Sequence, residues 1–248
     1  MNTKSQYTHF SYFSYFSKGM MDGIPIALGY LSVSFGFGIT AVRADLSVLT
    51  ATVISLCNLT SAGQAAGVAI MAAGGSFVEM ALTQLVINLR YGLMSLSLSQ
   101  KLNESFNTPR RLLVSYGITD EIFAMASSKE GKLSPYYMYG LILIAALCWT
   151  LGTFLGATAG QLLPASLTSA MGLMLYAMFI AIIIPPAKKS RSVMAVVITA
   201  ALFGLLFRYG LPWVTSGFAI ILSAVAAATV GALVFPVEEE AQTEGDAA

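Results

Sequence analysis

The chain is short of charge. Only 10% of its 248 residues are charged, whereas 56% are hydrophobic and the mean hydropathy is +0.75. Soluble domains carry about 25% charged residues, so a fold of this size could not cover a water-exposed surface with so few of them. The composition therefore excludes a soluble globular domain and indicates an integral membrane protein.

Histidine and cysteine are almost lacking. His9 is the one histidine, and Cys57 and Cys148 both lie in apolar segments. No cluster of ligands for zinc or haem is available, and the two cysteines are expected to be buried small hydrophobes rather than a disulfide or metal pair. An intramembrane enzyme would need a nucleophile with a base, or a metal cluster. We therefore expect no enzymatic activity, no metal and no cofactor.

Phosphate-binding signals are lacking as well. The sequence contains no Gly-x-x-x-x-Gly-Lys-Ser/Thr loop, so the chain itself is not expected to be an ATP-driven pump. A net charge of +1 gives no indication of nucleic-acid binding.

Long apolar runs dominate what is present. They are continuously apolar rather than alternating, which favours helices over a membrane barrel. The sequence predicts an all-α integral membrane protein with about seven transmembrane helices, some of them interrupted, at 19–40, 47–72, 76–100, 136–160, 164–184, 191–209 and 212–235. An aromatic interfacial segment at 1–18 precedes this membrane domain of 19–235, and an acidic tail at 236–248 is expected to be disordered.

Basic residues cluster in the loops 101–132 and 188–191, which the positive-inside rule places in the cytoplasm. Three full crossings before the first of these loops would put Lys4 and Lys18 on the outer side, against the rule. Either these two lysines are outvoted or one early segment is re-entrant. Seven crossings is the preferred prediction.

The ends of two predicted helices resemble each other. Residues 34–41 end the first helix and residues 151–157 end the fourth, both with small residues, and each is followed by a similar start of the next helix. This pattern suggests a three-plus-three inverted repeat, a common plan in secondary transporters. Chance similarity between helices rich in glycine and alanine is the alternative.

Polar residues interrupt the second apolar run. Asn58, Thr60, Ser61 and Gln64 would be costly against lipid, and Gly63 beside them favours a break in the helix. A broken helix exposes backbone groups at mid-depth, where a zwitterion can bind. The alternative is that these residues are polar contacts between closely packed helices.

The third run contains Asn88 and, near its centre, Arg90. A guanidinium at that depth suits a substrate carboxylate. The alternative is a structural ion pair with Glu79 or Asp120.

Asp120 and Glu121 lie in the mildly apolar segment 112–126, which could rest on the membrane or dip into it. With Glu79, they are candidates for contact with a substrate amine or for titration during transport. An ordinary solvated acidic pair is the alternative.

Taken in order, these motifs resemble the AzlC family, the large subunits of bacterial branched-chain amino acid exporters. The resemblance covers about 18–235 and depends on Gly23-Ile-Pro25, Asn58-Leu-Thr-Ser-Ala-Gly-Gln64, Asn88-Leu-Arg90, Thr119-Asp-Glu121 and Trp149-Thr-Leu-Gly152 followed by Gly156. The motif at 59–64 departs from the family's Phe-Ala-Gly-Ser/Ala-x-Gln.

The resemblance implies a permease of the bacterial inner membrane. It would export leucine, isoleucine and valine, with methionine or toxic analogues as further substrates, using the proton gradient. It also implies a small hydrophobic partner, an AzlD-like subunit of about four membrane helices. The alternative function is a membrane scaffold or assembly factor that does not transport.

Overall fold

The computed structural model describes the backbone from residue 3 and the side chains from residue 12, up to residue 160, and then 164, 166, 177, 179–181 and 183–235. The chain divides into two compact units, Met1–Phe179 and Ile180–Ala248. The predicted helix 164–184 lies largely outside the described residues, as does the tail 236–248.

The described residues form helices and no β-strand, which confirms the all-α class. The first unit contains α1 (Thr3–Arg43), α2 (Val48–Cys57), α3 (Ser61–Ala72), α4 (Phe77–Ser99), α5 (Thr108–Ser115), α6 (Asp120–Ser128) and α7 (Pro135–Ala159). The second contains α8 (Arg191–Leu205), a π-helical turn at Leu206–Gly210, and α9 (Ser216–Val234). Within the described part of the chain, four stretches are long and apolar enough to cross a membrane: Tyr12–Arg43, Pro135–Ala159, Arg191–Gly210 and Ser216–Val234.

Helices α1 and α7 pack backbone to backbone and form the centre of the first unit. A methyl group added to Gly140, Gly152 or Gly156 of α7 would overlap the backbone of α1 at Phe16, Leu31 or Phe35. Small residues allow such close approach of membrane helices. The residue numbers of the contacting pairs rise together, so α1 and α7 run in the same direction.

This parallel packing does not support the predicted inverted repeat. An inverted repeat that matched residues 34–41 with residues 151–157 would require the two helices to run in opposite directions. The similarity of these two segments is explained by close packing, because both contribute small residues to one helix contact: Gly38 faces Thr153 and Ala157, and Gly156 faces Phe35.

The predicted crossing at 47–72 is wrong, because this segment is a hairpin. Helices of 10 and 12 residues span only about 15 and 18 Å, roughly half of the hydrocarbon layer. The backbone is extended at Asn58 and Thr60, and α3 then folds back beside α2. Gln64 Nε2 donates to Ser55 Oγ at 3.0 Å, and Val68 belongs to the same apolar cluster as Ala51.

A second hairpin, α5–α6, enters from the opposite end of the unit. Helix α5 rises to Gly117, which packs against Ile142 one third of the way along α7. Helix α6 returns towards the start of α7, where Lys129 lies over the ring of Tyr137 and its Nζ is 2.7 Å from Asp22 Oδ2 of α1. The segment 112–126 thus dips into the membrane domain rather than lying on its surface.

Helix α4 connects the two hairpins. It runs antiparallel to α3. Gln84 contacts Gly63, whereas Tyr91, which comes later in α4, contacts Thr60, which comes earlier in the chain than Gly63. Its 23 residues span about 35 Å, enough to cross the hydrocarbon layer although its polar side chains lower its hydropathy.

The hairpin at 47–72 also places the basic residues. The hairpin α2–α3 returns to the end of the unit at which it started. As a result, α1 and α7 begin at one end of the first unit, and α4 finishes at that same end. That end, the basic end, carries Lys18, Lys101, Arg110, Arg111, Lys129 and Lys132, whereas Arg43 lies at the other. The conflict between Lys18 and the positive-inside rule therefore disappears.

In the second unit α8 and α9 form an antiparallel pair, in which Gly231 of α9 packs against Val196 near the beginning of α8.

Candidate functional site

The tips of the two hairpins meet near the middle of the first unit. Tyr116 Oη, at the end of α5, donates to the carbonyl of Leu56, at the end of α2. Between the tips is a small cavity, the tip cavity, lined by Tyr30, Leu59, Ser61, Tyr91, Thr119, Asp120, Glu121 and Trp149. Its volume of about 10 Å³ has room for about one water molecule.

Helix α3 begins at the tip cavity. Thr60 caps it, with Oγ1 accepting from Gly63 N at 3.2 Å. The helix was expected to break near Ala62–Gln64. The break instead falls at 58–60, and Ala62–Gln64 lies in the first turn of α3. First-turn N–H groups, here those of Ser61 and Ala62, have no acceptor within their own helix.

Helix α6 begins at the same place from the other side. Thr119 caps it, with Oγ1 accepting from Ile122 N at 3.3 Å. Two helix N-termini, each carrying a partial positive charge, thus face one cavity. Such ends attract carboxylates and other anions.

Arg90 is paired with Asp120. Arg90 Nη1 lies 2.8 Å from Asp120 Oδ2 and 3.1 Å from Oδ1, and Nη2 donates to Tyr91 Oη at 3.1 Å. Tyr91 Oη lies 3.4 Å from Thr60 Oγ1, which links this ion pair to the cap of α3. The sequence allowed either Glu79 or Asp120 as the ion-pair partner of Arg90, and in the structure the partner is Asp120.

Glu79 lies far from this ion pair. It is in the first turn of α4, capped by Ser76, and is 3% exposed. Eleven residues of helix separate it from Arg90, a rise of about 16 Å. The structure therefore separates Glu79 from the other acidic candidates.

Glu121 is held by Tyr30 of α1. Tyr30 Oη lies 2.6 Å from Glu121 Oε2 and 2.5 Å from Thr119 Oγ1. A carboxylate can only accept, so the one Tyr30 proton goes to Glu121 and Thr119 donates to Tyr30. The second tip is thereby attached to α1.

Gln64 lies behind the cavity, 2% exposed. Its Oε1 accepts from Trp149 Nε1 at 3.1 Å, and Ser55 Oγ, which accepts from its Nε2, is 2.7 Å from Thr153 Oγ1. Both ends of the amide are used in fastening the first hairpin to α7. Gln64 thus fixes the orientation of Trp149 at the cavity wall.

The remaining candidates lie beside α4 or in the break. Gln84 Nε2 donates to the Gly63 carbonyl at 2.7 Å, and Asn88 Nδ2 donates to the Gln84 carbonyl at 2.8 Å. Asn88 Oδ1 is buried without a partner in the described part of the chain. Asn58 ends α2 in an extended conformation.

The structure therefore gathers half of the predicted site residues at the tips, namely Thr60, Ser61, Arg90, Asp120 and Glu121. Asn58, Gly63, Gln64 and Asn88 lie around the break or behind the cavity, and Glu79 lies far from it. Sequence reasoning missed two aromatic residues of the cavity wall, Tyr30 and Tyr91. A signal was available, because these polar-edged aromatics lie inside apolar segments rather than at the interfaces where they are enriched.

The family model described as AzlC protein matches residues 25–163. Inner membrane protein YgaZ of Escherichia coli (strain K12) is 32% identical over 199 residues, which cover 77% of this chain and 80% of YgaZ.

The chain belongs to the AzlC family. A membrane protein of Archaeoglobus fulgidus, described as uncharacterized, is 30% identical over 184 residues, covering 73% of this chain and 80% of that protein. No solved structure matches the chain. The AzlC match includes both hairpins, α4 and every residue that lines the tip cavity.

Proposed function

We propose that this AzlC protein exports branched-chain amino acids across the bacterial inner membrane and binds them at the tip cavity. The substrates are leucine, isoleucine and valine, with methionine or toxic analogues as further candidates. The observation that carries the proposal is the meeting of two half-length hairpins, from opposite ends of the unit, around Arg90, Asp120 and two helix N-termini. The name of the Escherichia coli relative supports the inner membrane.

A transporter must expose one site to each side in turn. Irregular backbone at membrane depth is tolerated where it is buried in protein or lines a cavity, and discontinuous helices commonly bind substrate in transporters. A cavity of about 10 Å³ is too small for a branched side chain. Substrate binding therefore requires the tips to separate.

The chemistry at the tips suits an α-amino acid. Arg90 and the first-turn N–H groups of α3 are donors for the carboxylate, supported by Thr60 and Ser61. The amide oxygens of Asn58 and Asn88 are acceptors available to the ammonium. Leu59 and Trp149 give the cavity an apolar wall for the side chain.

Proton coupling is assigned to the acidic residues of the second tip. Asp120 and Glu121 are adjacent, and each is held by one partner, Arg90 or Tyr30. A carboxylate that binds either a proton or the substrate amine would link export of the amino acid to entry of protons.

The partner is a small hydrophobic subunit of the AzlD type. Leu85, Leu89 and Leu93 form an exposed apolar row on α4, and such a surface can contact either lipid or another membrane helix. Helix association in membranes is driven in part by van der Waals packing, to which a partner helix on this row would contribute.

Leucine export by reconstituted proteoliposomes tests the function. We expect the purified chain together with the small hydrophobic subunit encoded near it to export labelled leucine, faster when the outside is acidic, and the chain alone to export it poorly. Full export by the chain alone would contradict the partner. A monodisperse complex without any leucine export would contradict the transporter and favour a scaffold.

A further inference from the structure

The ion pair between Arg90 and Asp120 joins two elements that must separate if the tip cavity is to open. We infer that an α-amino acid inserts into this pair, with its carboxylate on Arg90 and its ammonium on Asp120. Asp120 is then the residue that selects zwitterions. This inference rests on the proposed function and names the chemistry by which that site accepts its substrate.

The geometry of the pair leaves room for exchange. One guanidinium nitrogen, Nη1, contacts both oxygens of Asp120, and among the described residues Nη2 donates to Tyr91 Oη alone. A guanidinium has five N–H donors, so Arg90 can hold a second carboxylate. Asp120 is at the first position of α6, on the hairpin tip, whereas Arg90 lies within the long helix α4.

Insertion keeps every charge paired. The single ion pair becomes two, because the adjacent charges of the α-amino acid face Asp120 and Arg90 respectively. A ligand with only a carboxylate would leave Asp120 without a partner, and a ligand with only an amine would leave Arg90 without one. The pair is half-buried, with side chains 39% and 26% exposed, so a charge left without its partner there costs free energy, although less than in a fully buried pair.

Insertion also enlarges the cavity. Placing a zwitterion between Arg90 and Asp120 moves the second hairpin tip away from α4, and both Asp120 and Tyr91 line the cavity. The motion that admits the backbone of the amino acid thus makes space for its side chain.

The neighbouring carboxylate is a poorer ammonium site. Glu121 accepts a hydrogen bond from Tyr30 at 2.6 Å, and Tyr30 is 6% exposed and packs edge to face against Trp149. Glu121 therefore keeps its partner when the Arg90–Asp120 pair separates.

The chain offers a matched control pair. Lys129 and Asp22 lie 2.7 Å apart, with side chains 30% and 25% exposed, compared with 39% and 26% for Arg90 and Asp120. This control pair lies at the basic end and away from the tip cavity. If both pairs are only structural, neutralising either should have the same effect.

The first test compares two neutral double variants, Arg90→Gln/Asp120→Asn and Lys129→Gln/Asp22→Asn, in exchange of labelled leucine by proteoliposomes containing the full complex. Neutralising both partners leaves no unpaired charge, so the site variant should be recovered as monodisperse protein. We expect it to lose leucine exchange by at least about tenfold, while the control variant stays within about twofold of wild type. Equal exchange by the site variant and wild type would overturn the inference.

The second test uses wild-type protein and therefore does not depend on the folding of any variant. Isopentylamine lacks the carboxylate of leucine, and 4-methyl-2-oxopentanoate lacks its amine, while both retain the branched side chain. We expect each to compete with labelled leucine at least about tenfold more weakly than unlabelled leucine does. Competition by either compound equal to that of leucine would overturn the inference and leave the proposed function standing, whereas absence of leucine exchange by wild type would overturn both.

Discussion

Trp149 is buried in the wall of the tip cavity. It is 1% exposed, donates to Gln64, and contacts Tyr30 edge to face with ring centroids 5.1 Å apart. An aromatic pair of this geometry prefers a fixed orientation. Trp149 is therefore a rigid wall of the tip cavity, and its indole should sense whatever enters.

In the Trp213→Phe protein, Trp149 is the single remaining tryptophan. We predict that leucine changes its emission in a saturable way, because the ligand alters the polarity beside the indole. The matched control is Trp149→Phe with Trp213 retained, which should not respond. An unchanged emission of Trp149 at leucine concentrations that support exchange would place the substrate elsewhere.

At the same scale, the sequence predicted which polar residues lie in the membrane but not which of them meet. Arg90 was recognised because a charge in an apolar segment is expensive. Its partner could not be chosen between Glu79 and Asp120, since that depends on where the second hairpin ends. Gln64 was predicted to contact substrate, and in the structure its side-chain amide is hydrogen-bonded to Ser55 and Trp149 behind the cavity.

The two hairpins are the elements that would have to move if the tip cavity is the site of the proposed transport. Each reaches only to the middle of the unit, and their tips are joined by the hydrogen bond from Tyr116 to Leu56. The hairpin α5–α6 closes the cavity from the basic end, and the hairpin α2–α3 closes it from the opposite end. Separation of one tip at a time would open the cavity to one side at a time.

Cys57, the residue after Leu56, allows this to be tested. In a Cys148→Ser background, Tyr116→Cys would place a second thiol beside it. We predict that a short, reducible thiol crosslinker stops leucine exchange by locking the tips together, and that reduction restores it. The same treatment of a protein that also carries Cys57→Ser should have no effect, and full exchange by the crosslinked protein would contradict motion at the tips.

Apolar composition predicted these elements only in part. It showed that 47–72 and 112–126 contact the membrane interior and that the former is interrupted. It did not show that α3 reverses direction, because helix periodicity carries no information on direction. The reversal depends on interactions with distant helices, such as the hydrogen bond between Gln64 and Trp149 and the apolar cluster that Val68 shares with Ala157.

For the whole molecule, the re-entrant hairpin changes the topology of the first unit. Lys18 and Lys129 lie at the basic end, which the positive-inside rule assigns to the cytoplasm. If 47–72 crossed the membrane completely, Lys18 would instead lie outside. The position of Lys18 therefore distinguishes the two topologies.

Single cysteines in a Cys57→Ser/Cys148→Ser background measure this position. We predict that Lys18→Cys and Lys129→Cys are protected from an impermeant thiol reagent in intact cells and react in inverted vesicles. Ala73→Cys, between α3 and α4, is the positive control because it lies on the outer side in both topologies. Reaction of Lys18→Cys in intact cells would contradict the hairpin.

The central claim is that the tip cavity binds the exported amino acid through Arg90. Leucine export by Arg90 variants, divided by the amount of monodisperse protein in the same proteoliposomes, tests it most directly. We predict that Arg90→Ala abolishes export and that Arg90→Lys, which keeps the charge but loses the planar fork, retains part of it, with normal insertion of both. An Arg90→Ala protein that folds normally and exports leucine at the wild-type rate would contradict the account.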